Sequence, residues 1–242
     1  VESTGAFRNP DDALKHVEVG AKYVLQTAPA KGGRPDLTIV PGVNHDRLKK
    51  EHKVLSVASC TTNCLAPVMK VLQENFGVRR ALMTTVHSYT SSQALVDGFN
   101  KDRRRGRAAA VNMIPTTTGA TIAVCEAIPS LSGKLTGLAI RIPLAVGSIV
   151  DVVAELEKKF DVKSINRAFL NASRGKLKGI LNYTEEEIVS SDIVGDKYSA
   201  IIDGLSTMQS GNLVKVLAWY DNEYGYSNRV VDVIKLLRRF VK

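Results

Sequence analysis

Leu65, Val68, Met69 and Leu72 recur at spacings of three and four between residues 62 and 75. That is the apolar stripe of an amphipathic helix, and Gly77 is placed to end it. Nearer the start, residues 10–16 predict a short helix with Asn9 as N-cap and Pro10 as its first residue. The segments 21–27 (AKYVLQT), 36–40 (DLTIV) and 54–58 (VLSVA) are short and mostly apolar, and Pro29, Gly32 and Gly33 punctuate them. Such runs suit the remainder of a parallel sheet buried on both faces. Residues 81–86 predict a strand and 118–128 a helix.

The second half has a different rhythm. Residues 134–142 and 148–156 alternate as two long strands, 162–172 keep helical spacing, and 177–181, 200–205 and 212–220 are further strands. Long strands with few crossovers predict a mostly antiparallel sheet. A last helix starts at Gly225 and sets Val230, Val233, Ile234 and Leu237 on one face. The interleaving places the chain in the α/β class, with an α+β second half. From 91 to 112 no period is sustained, and a loop of that length in a compact domain is expected to be ordered and functional.

Composition narrows the classes. In 242 residues, 33 Lys+Arg against 24 Asp+Glu leave a net charge of +9, and apolar residues make up 44%. These values describe an ordinary globular chain, neither disordered nor disulfide-stapled. No apolar run approaches the roughly 18–20 residues of a membrane span. The opening Val-Glu-Ser-Thr-Gly has neither basic leader nor apolar segment, so no signal peptide is expected. Three cysteines cannot all pair, which predicts reduced thiols and a cytoplasmic protein. The positive charge suits nucleic acid, anionic membrane or phosphorylated small molecules alike.

The sharpest chemistry lies at Ser59-Cys60-Thr61-Thr62-Asn63-Cys64, where a strand gives way to a helix. There the unpaired N–H groups and the helix dipole favour a thiolate, which makes Cys60 a candidate nucleophile. Position alone does not separate this from a small buried hydrophobe, the reading preferred for Cys64 and Cys125. No second ligand pair follows at zinc spacing, so no metal is expected. Among four histidines only His87 ends a strand, where an imidazole could serve as base. Thr116-Thr117-Thr118-Gly119 opens a helix and offers an anion site. Arg103, Arg104, Arg105 and Arg107 precede it, and Arg141 is the only charge in the apolar stretch 138–143. An arginine there is costly unless it meets a carboxylate or a ligand phosphate. The basic run 101–107 lacks interleaved aromatics, so it supports a nucleic-acid patch only weakly against a solvated face. No Gly-x-Gly-x-x-Gly or Walker loop is present.

Ser-Cys-Thr-Thr-Asn-Cys-Leu-Ala-Pro at 59–67 resembles the active-site signature of the phosphorylating glyceraldehyde-3-phosphate dehydrogenase family. Residues 84–90 (TTVHSYT), 114–120 (IPTTTGA) and 219–229 (WYDNEYGYSNR) resemble the same family, in order and at ungapped spacing. The resemblance runs from residue 1 to 242. It implies a doubly wound, Rossmann-type NAD(P)-binding domain, of which 1–58 would be the C-terminal part. A catalytic domain with a mixed or antiparallel sheet would follow at 59–223, and a helix at 224–242 would pack back on the nucleotide domain. About three βαβ units of ~30 residues each would precede residue 1, carrying the glycine-rich loop and the residue that selects NAD or NADP.

The resemblance also implies roles. Cys60 would attack the aldehyde of glyceraldehyde 3-phosphate to give a thiohemiacetal, with His87 as base. Oxidation by NAD or NADP would leave a thioester, and inorganic phosphate would release 1,3-bisphosphoglycerate, in glycolysis or gluconeogenesis. Ser59, Thr61, Thr118, Gly119 and Arg104 would hold the attacking phosphate, and Thr90 and Arg141 the substrate's C3 phosphate. Asn222 would contact the nicotinamide amide, Thr27 would lie near the cofactor, and the Cys60 N–H would steady the oxyanion. A homotetramer is implied, with loop 91–112 near a subunit contact. One departure stands out: the family usually shows Pro-Thr-x-Asn-Val-Ser where this chain has Pro143-Leu144-Ala145-Val146-Gly147-Ser148. Rival readings are an erythrose-4-phosphate dehydrogenase and a catalytically silent scaffold that binds RNA through loop 101–107.

Overall fold

A computed structural model describes residues 1–241. Strands β1 (Val24–Gln26), β2 (Leu37–Thr38) and β3 (Val54–Ser56) form a parallel sheet in the order β1-β3-β2. Every residue of β1 and β3 is buried, which is why these segments show apolar runs without alternation. The helix predicted at 10–16 is present but broken at Leu14 into α1 (Pro10–Ala13) and α2 (Lys15–Glu18). Asn9 caps α1 by accepting from the Asp11 N–H at 3.1 Å.

The larger sheet has seven strands in the order β5-β6-β4-β7-β10-β9-β8. They are β4 (Val78–Ser88), β5 (Ile114–Thr116), β6 (Leu135–Ile142), β7 (Ser148–Leu156), β8 (Leu181–Thr184), β9 (Ala200–Ser210) and β10 (Leu213–Tyr220). Two neighbour pairs, β4–β6 and β8–β9, are parallel and the others antiparallel, so the sheet is mixed. The crossover from β4 to β6 contains the long loop and helix α4 (Ala120–Ala127), a connection a parallel pair requires. Helix α5 (Val162–Arg174), predicted at 162–172, starts in a capping box made by Asp161 and Ser164.

Two expectations shift. The strand predicted at 177–181 starts only at Leu181, because residues 177–180 close a turn in which the Leu181 N–H donates back to the Leu177 carbonyl. Residues 114–116 form an unpredicted edge strand, where Pro115 is tolerated because no donor is needed on its open side. The loop 91–112 holds no helix or strand, yet it is cross-linked by Ala94 N to Arg105 O, Gly98 N to Gly106 O and Ala109 N to Ala94 O.

Helix α3 (Cys60–Phe76) leads from β3 to β4 and packs on the large sheet, buried from Thr61 through Met69. The last helix, α6 (Tyr224–Leu237), lays Val230, Val233 and Leu237 onto Leu25, Ile39, Leu55 and Val57 of the small sheet. The start of α3, the ends of β4 and β10 and the last helix therefore converge where the sheets meet. No helix among the described residues is long and apolar enough to cross a membrane.

Candidate active site

The junction from β3 to α3 is bent sharply. Ala58 takes φ 56°, a left-handed conformation that costs a non-glycine residue about 1 kcal/mol. Its N–H donates to Ser56 Oγ at 3.1 Å, and Tyr226 Oη donates to its carbonyl at 3.2 Å, so strand and last helix together hold the bend. Ser59 then caps α3, its Oγ accepting from the Thr62 N–H at 3.1 Å. Cys60 is thereby the first residue of the helix, half-buried, with Sγ 3.3 Å from His87 Nε2.

His87 and Arg141 are register partners on the parallel strands β4 and β6, so their side chains share one face. His87 Nδ1 lies 2.7 Å from the Ser88 carbonyl, which can only accept. With the hydrogen on Nδ1 that contact is made, the Arg141 Nη1 hydrogen is left to the same carbonyl, and Nε2 turns a bare lone pair toward the thiol. Arg141 Nη1 donates to the same carbonyl at 2.8 Å and stands 2.8 Å from Nδ1. Tyr220 packs edge-on against the imidazole, with ring centroids 5.9 Å apart. Its hydroxyl is 2.9 Å from both Thr61 Oγ1 and Thr85 Oγ1. Because Thr85 donates to the Ile149 carbonyl at 3.1 Å, it accepts from Tyr220, which in turn accepts from Thr61.

These surroundings act on the pair with opposing signs. Burial pushes the Cys60 thiol up, outweighing the Thr61 N–H and hydroxyl and the charge of Arg141, which pull it down. Burial, and secondarily Arg141, push His87 down to about 4 against the opposing Ser88 carbonyl. The helix start acts with the expected sign, and desolvation of the sulfur opposes it more strongly.

A stability consequence follows. An unfolded imidazole takes its proton near 6.5, whereas the folded one resists until about 4. As pH falls through that window the unfolded state binds the extra proton, so the fold loses about 3 kcal/mol between the two values. Urea titrations at pH 7 and pH 4.5 should show this loss, and His87→Gln should flatten it. An equal loss in that variant would place the titration elsewhere.

The other candidates gather unevenly. Arg141 is half-buried, no carboxylate among the described residues pairs with it, and its Nε is shut from solvent without a partner. Arg104 is exposed and reaches only the Pro115 carbonyl at 3.4 Å. Its neighbour Arg105 instead turns inward. Arg105 Nε donates to Thr116 Oγ1 at 2.9 Å and Nη2 donates to the Thr117 carbonyl at 3.3 Å, while burial, and secondarily the charge of Arg105, pushes Arg141 down. Nothing in a run of four arginines distinguishes these two. Asp102 and Asp97 partly neutralise the run, Arg105 Nε lying 3.6 Å from Asp102 and Arg107 Nε 3.2 Å from Asp97.

Thr118 Oγ1 accepts from the Ala120 N–H at 3.2 Å, and Gly119 is the N-cap residue of α4. Thr90 Oγ1 is 2.9 Å from Ser92 Oγ, a hydroxyl the sequence did not single out. Thr61 points its hydroxyl inward to Tyr220. Thr27 directly follows β1, its N–H and hydroxyl both donating to the Glu2 carbonyl, at 2.9 and 3.2 Å.

Asn222, just past β10, is buried, and its Oδ1 accepts from Ser88 Oγ at 2.8 Å, Gly147 N at 3.1 Å and Ser148 Oγ at 3.1 Å. The departing loop 143–147 explains the second of these. Gly147 sits at φ 102°, and a Cβ there would lie 2.9 Å from the Ser190 carbonyl, so only glycine brings that N–H to Asn222.

The family described as glyceraldehyde 3-phosphate dehydrogenase, C-terminal domain, matches residues 59–222. The chain is 57% identical over 235 residues to the glyceraldehyde-3-phosphate dehydrogenase of Geobacillus stearothermophilus, an overlap covering 96% of this chain and 70% of that one. Against the enzyme of Priestia megaterium it is 55% identical over 239 residues, 98% of this chain and 71% of the relative. Against that of Mycobacterium avium it is 52% identical over 237 residues, 98% and 69%.

Proposed function

Because the chain belongs to the glyceraldehyde 3-phosphate dehydrogenase family of oxidoreductases, we propose that it oxidises glyceraldehyde 3-phosphate to 1,3-bisphosphoglycerate through an acyl thioester on Cys60. The observation that carries this reading is the contact of Cys60 Sγ with His87 Nε2, whose tautomer the Ser88 carbonyl sets.

Sγ bonds to the aldehyde carbon while Nε2 takes the thiol proton and passes it to the new oxygen, giving the thiohemiacetal. An imidazole with a pKa of about 4 holds that proton only briefly, which suits a shuttle between sulfur and oxygen. The N–H groups at the start of α3 steady the oxyanion. A nicotinamide bound beside Asn222 supplies the hydride acceptor when present. As the carbon is oxidised, Nε2 takes the hydroxyl proton and the thioester forms. Phosphate oxygen then attacks the thioester carbon and Sγ leaves.

The residues fit the cofactor: with Oδ1 of Asn222 occupied by three donors, its Nδ2 has no partner among the described residues and is not sealed from solvent. That N–H suits a carboxamide oxygen of NAD or NADP. Arg141, half-buried and without a carboxylate partner among the described residues, suits the C3 phosphate together with Thr90. Ser59, Thr118, Gly119 and the Arg104–Arg105 segment suit the attacking phosphate, Arg105 being the inward-turned member.

In this reading residues 1–58 and the segment 224–242, which carries α6, belong to the NAD(P)-binding domain and 59–223 to the catalytic domain. The parallel sheet under α6 supports that division. A homotetramer is supported by the outer face of the large sheet, where Leu82, Leu138, Leu205, Met208 and Leu213 are exposed. Three unpaired cysteines suit the reducing cytoplasm and a place in glycolysis or gluconeogenesis.

The test is covalent trapping. With aldehyde and oxidised cofactor but no phosphate, the Cys60 peptide should gain the mass of a 3-phosphoglyceroyl group and lose it when phosphate is added. Erythrose 4-phosphate should label more slowly. Faster labelling by the four-carbon aldehyde would favour the rival dehydrogenase, and no label with either aldehyde would favour the scaffold.

A further inference from the structure

Ser88 is fully buried, and every polar group it has points to a different part of the site. Its carbonyl takes the His87 Nδ1 hydrogen and an Arg141 N–H, and its own N–H donates to Ser148 Oγ at 3.2 Å. Its hydroxyl donates to Asn222 Oδ1 at 2.8 Å, the shortest of that oxygen's three contacts. An amide side chain can present either oxygen or nitrogen after a half-turn of its last torsion, and only its partners decide which. Three donors converging on one oxygen decide it here.

We propose that Ser88 is a positioning residue for the cofactor: through its hydroxyl it locks the Asn222 amide so that only N–H is offered outward. The same residue's backbone aligns the proton shuttle, so nicotinamide and imidazole are set from one point. This rests on the nicotinamide reading of Asn222. It adds a specificity rule, that the pocket rewards a ring substituent with a carbonyl acceptor and ignores whether that substituent also carries an N–H donor.

Ser88→Ala keeps the carbonyl and the N–H and removes only the hydroxyl. Losing one of three donors should raise the cofactor KM about three- to tenfold. The KM for glyceraldehyde 3-phosphate and the iodoacetate reactivity of Cys60 should stay unchanged. The effect should vanish when Asn222→Ala is already present, a coupling that general loosening would not show. The 3-acetylpyridine dinucleotide, with a carbonyl but no N–H, should follow the same pattern in the intact wild-type protein and both variants. Ser148→Ala, which removes a second donor to the same oxygen, should move the cofactor KM in the same direction and serves if Ser88→Ala is poorly folded. If Asn222→Ala raises the cofactor KM but neither serine variant does, the positioning role is overturned and the nicotinamide reading survives. If Asn222→Ala leaves the cofactor KM unchanged, both are overturned.

Discussion

Cys60→Ser is expected to lower aldehyde oxidation by at least about 10^3-fold while unfolding at nearly the same denaturant concentration as the parent. The two side chains differ by one atom, and the hydroxyl can keep the contact to His87 Nε2. What changes is acidity. An imidazole held down at about 4 is a feeble base, adequate for a thiol that the Thr61 N–H and Arg141 already assist, and inadequate for an alcohol. The control is Cys64→Ser, one helical turn away, where the sulfur is sealed 3.7 Å from the Ala218 carbonyl. That change should alter stability by about 1 kcal/mol and turnover hardly at all. Activity is read from cofactor absorbance at saturating aldehyde and phosphate. Turnover within tenfold of the parent in Cys60→Ser would move the nucleophile elsewhere.

The elements readable in the sequence were those whose burial repeats. Residues 148–156 alternate because β7 lies between β4 and β10 with one face against the helices, and the structure returns the same bounds. The stripe of α3 was equally plain, although its first turn was not, since Cys60 and Thr61 are set by a cap and a strained Ala58 rather than by period. Edge strand β5 has three residues, too few to show any period.

At the site, Cys60, His87, Arg141 and Asn222 stood out as residue types in telling places. Ser88 and Tyr220 did not, because their importance comes from partners 134 and 159 residues away. The ionisation of the thiol was only half legible for a similar reason. A helix start is local and visible in sequence, whereas the desolvation that overrides it comes from packing of distant strands.

That ionisation sets the second large effect. His87→Gln should slow oxidation about 10^2- to 10^4-fold, the range for losing a positioned proton shuttle. The pH profile of Cys60 alkylation separates this role from an ion pair. In the parent, iodoacetate reactivity should climb along a single limb above neutrality, with no plateau on the acid side, because the imidazole is uncharged above about 4 and burial holds the thiol up. Removing a neutral imidazole withdraws no charge from the sulfur, so in His87→Gln the midpoint of that limb should barely move even as turnover collapses. Arg141→Ala should do the reverse in one respect: loss of its charge sends the thiol midpoint further up and also lets the imidazole rise. Were thiolate and imidazolium the resting pair, His87→Gln would strip a cation from beside the sulfur at 3.3 Å and drive the limb upward by a unit or more. A large upward shift in that variant, with Arg141→Ala silent, would therefore reverse the assignment of charge in this site.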